Sequence, residues 1–150
     1  MKLTGAAFRF RAAEGLAGGP SSLSLSFGGL VLECMTFEEA TPVLFDVITR
    51  HGARPDVPIA AEEFFTSLVA PYADQTSLRT HLEEHASDWY RCLRERPDWV
   101  QDAEWPWVAG KPMVFVGSID APPGTFHDLG RFYLFWSPEI GTTECIIQVA

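Results

Sequence analysis

Between positions 97 and 120 the chain reads PDWVQDAEWPWVAGKPMVFVGSID, and this run limits the fold more than any other. It holds Trp99, Trp105 and Trp107, with Pro97, Pro106 and Pro112 placed among them. Proline removes a backbone donor and is excluded from a regular helix interior. Each tryptophan brings a large apolar surface and one N–H that needs a partner. The segment is therefore expected to run extended and turning, pressed against a core. Gly110-Lys111-Pro112 supplies turn chemistry. From Met113 to Ile119 the spacing predicts a strand, with Met113 and Phe115 on one side and Val114 and Val116 on the other, and a bulge at Gly117. The plain reading of the tryptophans is core. The functional reading is an aromatic pocket or contact patch, because tryptophan is enriched at binding hot spots.

On the N-terminal side, Ala7-Phe8-Arg9-Phe10-Arg11 alternates as a half-buried strand, and residues 14–22 read as a Gly/Pro/Ser loop. Leu23 to Phe27 alternates with serine. Gly28-Gly29 is a two-residue hairpin signal, and Leu30 to Cys34 is the returning strand. Thr36-Phe37-Glu38-Glu39 matches a capping box. Pro42 forbids the regular backbone bond at its position, so either the first turn after Thr36 is separate, or Thr41 is the true cap with Pro42 at the first helical position. Val43, Leu44, Val47 and Ile48 give that helix its apolar face. A second helix is expected from Ala60 to Ala70, and a third from about Ser77 to Arg96 with Leu78, Leu82, Trp89 and Leu93 packed. Arg131 to Trp136 and Glu144 to Val149 then read as strands. The fold class is α+β in one domain, 1–150: an N-terminal β-hairpin, three helices, and a C-terminal antiparallel meander packed on the helices.

The runs WVQDAEWPWVAGKPMVFVGSID and GRFYLFWSPEIGTTECIIQ resemble the C-terminal pattern of the YwqG-like family of uncharacterised bacterial proteins. Trp105-Pro106 leads to the Gly110-Lys111-Pro112-Met113 turn, a strand ends in Ile119-Asp120, and Gly130 opens a strand bearing Phe132, Tyr133, Phe135 and Trp136. Ser118 stands where relatives often carry glutamine, and the paired cysteines that many relatives have near the turn are absent. The resemblance covers roughly the last third of the chain and implies a fold rather than an activity.

The net charge is −9, and its placement matters more than its size. Residues 1–32 carry +2, residues 33–104 carry −9 and residues 105–150 carry −2. A negative surface repels phosphate backbones, so no nucleic-acid partner is expected. No apolar run is long enough to span a membrane. The charged N-terminus does not read as a signal peptide, and a cytoplasmic location is expected. Cys34, Cys92 and Cys145 are odd in number and far apart. They read as buried free thiols rather than as a disulfide framework or a zinc site.

Three constellations bear on chemistry. His81-Leu82-Glu83-Glu84-His85 fits H-x-x-E-H, in which two histidines four apart hold zinc and a glutamate acts as base. Here Glu84 points away from the buried stripe, and a third ligand must come from elsewhere, with Glu144 as a guess. The plain reading is a pair of boundary histidines. Asp120, His127 and Asp128 share a loop and read as turn polarity or as an acid–base pair. Glu83, Glu84, Asp88, Glu95, Asp98, Asp102 and Glu104 form an acidic run leading into the tryptophans. That run is either a solvated face or a docking face for a basic partner. No phosphate-binding or nucleophile motif occurs, and no cofactor is expected.

The sequence therefore favours a non-enzymatic, acidic protein-binding module. Its most concrete form is a bacterial immunity or antitoxin protein that caps a basic toxin. The expected partner-binding residues are Asp98, Trp99, Asp102, Glu104, Trp105 and Trp107. The alternatives are a zinc-dependent hydrolase using His81 and His85, and a small-ligand binder with an aromatic pocket.

Overall fold

The computed structural model describes residues 23–27 and 30–150, with side chains from Cys34 onward. Two paired antiparallel strands, β1 (Leu23–Phe27) and β2 (Leu30–Cys34), come first. Three helices follow: α1 (Phe37–Ile48), which runs into a 3-10 turn at Thr49–His51, then α2 (Ile59–Val69) and α3 (Gln75–Trp89). The short pair β3 (Trp107–Val108) and β4 (Lys111–Pro112) leads to an antiparallel sheet of β5 (Val114–Asp120), β6 (Gly130–Ser137) and β7 (Thr142–Val149) in that order. The chain is thus mixed α+β. The expected strand at 7–11, the loop at 14–22 and the turn at Gly28-Gly29 lie outside the described residues. Among the described residues no helix is long and apolar enough to cross a membrane.

Helix α1 is capped by Thr36. Its hydroxyl accepts from the Glu39 N–H at 3.2 Å, and the Glu39 carboxylate accepts from the Thr36 N–H at 2.8 Å. Four free amides face the start of any helix, and this reciprocal pair satisfies two donors. Contrary to both expectations, the first turn is not separate and Thr41 is not the cap: one helix runs from Phe37 through Pro42 to Ile48. Pro42 sits on the exposed side, and the Thr41 hydroxyl donates to the Phe37 carbonyl at 2.9 Å, supplying a bond to the first turn. The Asp74 carboxylate caps α3 through the N–H groups of Thr76 and Ser77.

Helix α3 stops at Trp89, seven residues before the expected end at Arg96. Tertiary pairing overrides the periodicity here. The Phe115 N–H donates to the Arg91 carbonyl and the Leu93 N–H donates to the Phe115 carbonyl, both at 2.9 Å. Residues 91–93 thus become a short edge beside β5, and Leu93, expected in the packed stripe, is 61% exposed. The cysteines also need correcting. Cys145 is exposed and Cys34 and Cys92 are half-buried, since β7 turns Cys145 to its outer side.

One apolar core joins the helices to the sheet. Leu44, Val47 and Ile48 of α1, Phe65 of α2 and Leu78 and Leu82 of α3 meet Phe115, Tyr133 and Phe135 of the sheet. Along β6, Tyr133, Phe135 and Ser137 are buried while Leu134 and Trp136 are exposed, so strand alternation assigns the two faces. The pairing of β5 with β6 shifts register between Phe115 and Gly117, at the position where the glycine implies a bulge. Ala109 and Gly110, the turn between β3 and β4, both have positive φ (50° and 71°). That is the combination a two-residue primed turn requires.

Candidate binding groove along residues 98 to 107

The tryptophan-rich segment has no regular structure between Pro97 and Pro106, so its backbone must find partners elsewhere. The tryptophans anchor it first. Trp99 donates its indole N–H to the Gly52 carbonyl at 2.7 Å and lies against Tyr133, with ring centres 4.6 Å apart. Trp105 is 1% exposed, donates to the Met113 carbonyl at 2.7 Å, and meets Tyr90 and Phe135 edge-on. Trp107 is half-buried and packs on Phe64 at 5.3 Å.

Side chains from the sheet then hold the backbone between these anchors. The Tyr133 hydroxyl donates to the Asp98 carbonyl and accepts from the Val100 N–H, both at 2.8 Å. Gln148 Oε1 accepts from the Gln101 N–H at 2.9 Å, and its Nε2 donates to the Asp102 carbonyl at 2.8 Å. Gln101 returns a bond from Nε2 to the Val149 carbonyl at 2.7 Å. An irregular segment held from both sides in this way presents its outward side chains in one arrangement.

Those outward side chains line two adjoining clefts that share Val57 and Glu104. One, about 680 Å³, is walled by Arg54, Gln101, Asp102 and Gln148. The other, about 390 Å³, is walled by Pro58, Trp105, Pro106, Trp107, Glu144 and Ile146. Arg54 is the basic group here. Its Nε and Nη2 bond both Asp56 oxygens at 3.0 and 2.9 Å, which pushes the guanidinium up and holds the Asp56 carboxyl below the usual carboxylate range. Asp102 stands 93% exposed, 3.8 Å from Arg54. Among the described residues, Glu104 and Glu144 form no ion pair with a basic group. The groove is therefore negative, with an indole in its wall. That pairing attracts a guanidinium or ammonium group through charge and through the ring face.

The six expected partner-binding residues divide. Asp102, Glu104, Trp105 and Trp107 border this groove, with Trp105 contributing from below the surface. Asp98 turns to another side, where Arg131 Nη1 lies 2.9 Å from its carboxylate and Arg131 Nε lies 2.6 Å from Asp120. The two carboxylates together push the Arg131 guanidinium up, first through Asp120 and then through Asp98. Trp99 supports the backbone, through Gly52 and Tyr133.

The other candidates fall elsewhere. The His81 and His85 rings lie 4.4 Å apart, in an aromatic cluster with Tyr72 and Trp89. Burial, then the His85 charge, pushes His81 down. Among the described residues no three His, Cys, Asp or Glu side chains are grouped to hold a metal ion. Glu144 borders the groove. Asp120 is engaged by Arg131, while His127 and Asp128 are exposed in the loop after β5. Glu83 joins Asp46, Arg50 and Arg79 in a network bridging α1 and α3.

Sequence reasoning missed Tyr133, Gln148, Val57 and Pro58. A signal existed for Gln148, a polar residue at an inward position of an alternating strand, and it is 2% exposed. The Tyr90 hydroxyl and the Trp107 Nε1 are also buried, without a hydrogen-bond partner among the described residues. Burial pushes the Tyr90 phenol well up.

No family model, curated protein or solved structure matches this chain.

Proposed function

We propose that the protein is a non-enzymatic binding module whose groove along residues 101–107 takes a basic segment of a protein partner. One observation carries the reading: Glu104 and Glu144 line one cleft with Trp107, neither forms an ion pair among the described residues, and Gln148 holds the segment that carries Glu104. A lysine or arginine entering there gains two carboxylates and an aromatic face, in a cleft partly screened from solvent. The concrete form is an immunity or antitoxin protein of a bacterial cytoplasm that caps a basic toxin. No nucleic acid and no membrane belongs to this reading, and the acidity of residues 33–104 supports it. The likeness to YwqG-like proteins lies in the turn and strands behind the groove, and kinship with that family is part of the proposal.

The test is a titration with a short Lys/Arg-rich peptide at low salt, followed by NMR. The Trp107 indole resonance is expected to move first, with affinity falling steeply as salt rises. Glu104→Gln together with Glu144→Gln should weaken binding about tenfold or more. Shifts spread evenly over the acidic helices, with Trp107 unmoved, would sink the reading.

The Tyr90 hydroxyl and Trp107 N–H, buried and without a hydrogen-bond partner among the described residues, favour a second reading, a small polar ligand bound against the aromatics. It predicts that a bound molecule moves the Trp107 N–H resonance independently of salt.

A further inference from the structure

β5 is an outer strand of its sheet, and the chain itself occupies the start of its free edge. The Phe115 N–H donates to the Arg91 carbonyl and the Phe115 carbonyl accepts from the Leu93 N–H, so residues 91–93 lie on that edge as a strand would. In an antiparallel pair, residues that turn their backbone groups to the neighbour alternate with residues that turn them away. Phe115 stands opposite Phe135, and after the bulge Ser118 stands opposite Tyr133 and Asp120 opposite Arg131. Phe135, Tyr133 and Arg131 are two apart on β6, so Ser118 and Asp120 repeat the outward turn of Phe115. The Ala121 N–H, bonded to the Gly130 carbonyl, fixes the same phase. Beyond Leu93 a cleft of about 690 Å³ is walled jointly by the 93–98 segment, by Val116, Ser118 and Asp120 of β5, and by Arg131. Among the described residues no strand pairs with this part of the edge. Exposed edges are commonly blunted by proline, lysine or a covering element. Val114 to Asp120 contains neither residue, and a Cβ at Gly117 would meet nothing within 4 Å.

We infer that this edge takes an extended segment of a protein partner as an added strand, with an acidic side chain of that segment seated between Arg94 and Arg131. An open strand edge offers alternating donors and acceptors, and what matches them is another extended backbone. The line is already begun: residues 91–93 occupy the edge at Phe115, and the partner continues it over Ser118 and Asp120. The side chains of the cleft select the partner's charge. Asp98 and Asp120 are both engaged by Arg131, through Nη1 and Nε. Among the described residues the Arg131 Nη2 has no hydrogen-bond partner, and Arg94 forms neither a hydrogen bond nor an ion pair. Arg96, tied to the Arg50 carbonyl, adds a third guanidinium, and Glu95 is the unpaired carboxylate opposing them. A carboxylate is the group that guanidinium N–H donors bind most strongly. Alternate residues of the added strand fall beside Ile119, which is 67% exposed, so the segment that fits alternates acidic with apolar side chains. The edge shares no lining residue with the acidic groove, and the two sites can be tested apart.

The experiment is amide hydrogen exchange by NMR on the full chain, free and with a peptide of about eight residues alternating valine with glutamate. Salt is held at about 0.15 M, where long-range repulsion from the acidic chain is screened. Native mass is measured alongside. In the free protein the Ser118 and Asp120 amides are expected to exchange fast, while Ile119, turned towards β6, is protected. The peptide should slow Ser118 and Asp120 at least about tenfold. The same peptide methylated on its backbone nitrogens should give no protection. Arg94→Glu, at an exposed position, should weaken binding about tenfold. Ser118→Pro removes an outward N–H and no bond to β6, and should abolish binding. If that variant lowers the urea midpoint, Arg94→Glu decides alone. No slowing at about 1 mM peptide overturns the inference. Equal slowing by a peptide alternating valine with lysine overturns it too. Ser118 and Asp120 amides already protected in the free monomer mean that the edge is covered, and refute it. Protection that grows with protein concentration alongside a doubled mass refutes it in favour of a second copy. A peptide that moves the Trp107 indole resonance and leaves Ser118 and Asp120 unprotected binds in the groove, and refutes it as well.

Discussion

The Gln148 carboxamide and the Asp102 backbone form one half of a two-sided grip: Nε2 donates to the Asp102 carbonyl at 2.8 Å while Oε1 accepts from the preceding N–H, that of Gln101. A primary amide offers both a donor and an acceptor on one plane, so it can imitate the edge of a neighbouring strand. β7 thereby extends its hydrogen bonding to a segment that could not pair as a strand itself. The acidic side chains of Asp102 and Glu104 inherit their position from this buried glutamine.

Replacing Gln148 by leucine keeps the volume roughly constant and removes both bonds. The Gln101 N–H and the Asp102 carbonyl then lose partly buried partners, at a cost of about 1–3 kcal/mol. Urea unfolding should show that loss. Hydrogen exchange should show Gln101 opening far more readily than amides of α1. Unchanged protection at Gln101 would mean that the segment is held by its tryptophans alone.

A second steric dependence sits at Gly130. A Cβ built there would lie 2.2 Å from a Phe126 ring carbon and 3.3 Å from the Ala121 Cβ. The ring must swing away to admit it, so Gly130→Ala is expected to destabilise by about 1–3 kcal/mol. Removing the ring removes the clash. Phe126→Ala/Gly130→Ala should therefore cost less than the two single changes added together, as a double-mutant cycle on thermal or urea unfolding would show. Additive losses would mean that Phe126 and Gly130 do not meet.

What the sequence disclosed and what it withheld follow from the range of the forces involved. The Thr36/Glu39 capping box, the strand alternation of β6 and the bulge at Gly117 are local, and each is visible in a few adjacent residues. The end of α3 is not local. Residues 91–93 leave the helical pattern because Phe115 offers backbone partners from over twenty positions away. The groove divides in the same manner. Asp102, Glu104 and Trp107 were legible as acid beside aromatic, whereas Val57, Pro58 and Glu144 arrive from distant segments. Asp98 shows the opposite limit. It belongs to the same acidic run, but its direction is set by Arg131 on a strand that sequence proximity does not reveal.

Two histidines give the fold a dependence on pH above the carboxylate range. His51 is held below the ordinary imidazole value by burial first, then by Arg96 and Arg50; His81 is held down by burial, then by His85, with Glu84 opposing. Because their folded values lie below the unfolded one, the unfolded chain takes up these protons first as pH falls. Stability is therefore full above about pH 6.5 and declines as pH drops through that value. A separate loss begins below about pH 4.5. There Asp46, held down chiefly by its Arg79 bond, Asp56 by Arg54, and Asp74 by the Ser77 N–H must all be protonated. Urea midpoints measured from about pH 8 to about pH 3 should thus fall in two stages. The double variant His51→Gln/His81→Gln is expected to lose the upper stage and keep the lower one. Were the wild-type midpoint level down to about pH 5, the histidines would be titrating as freely in the folded protein as in the unfolded chain.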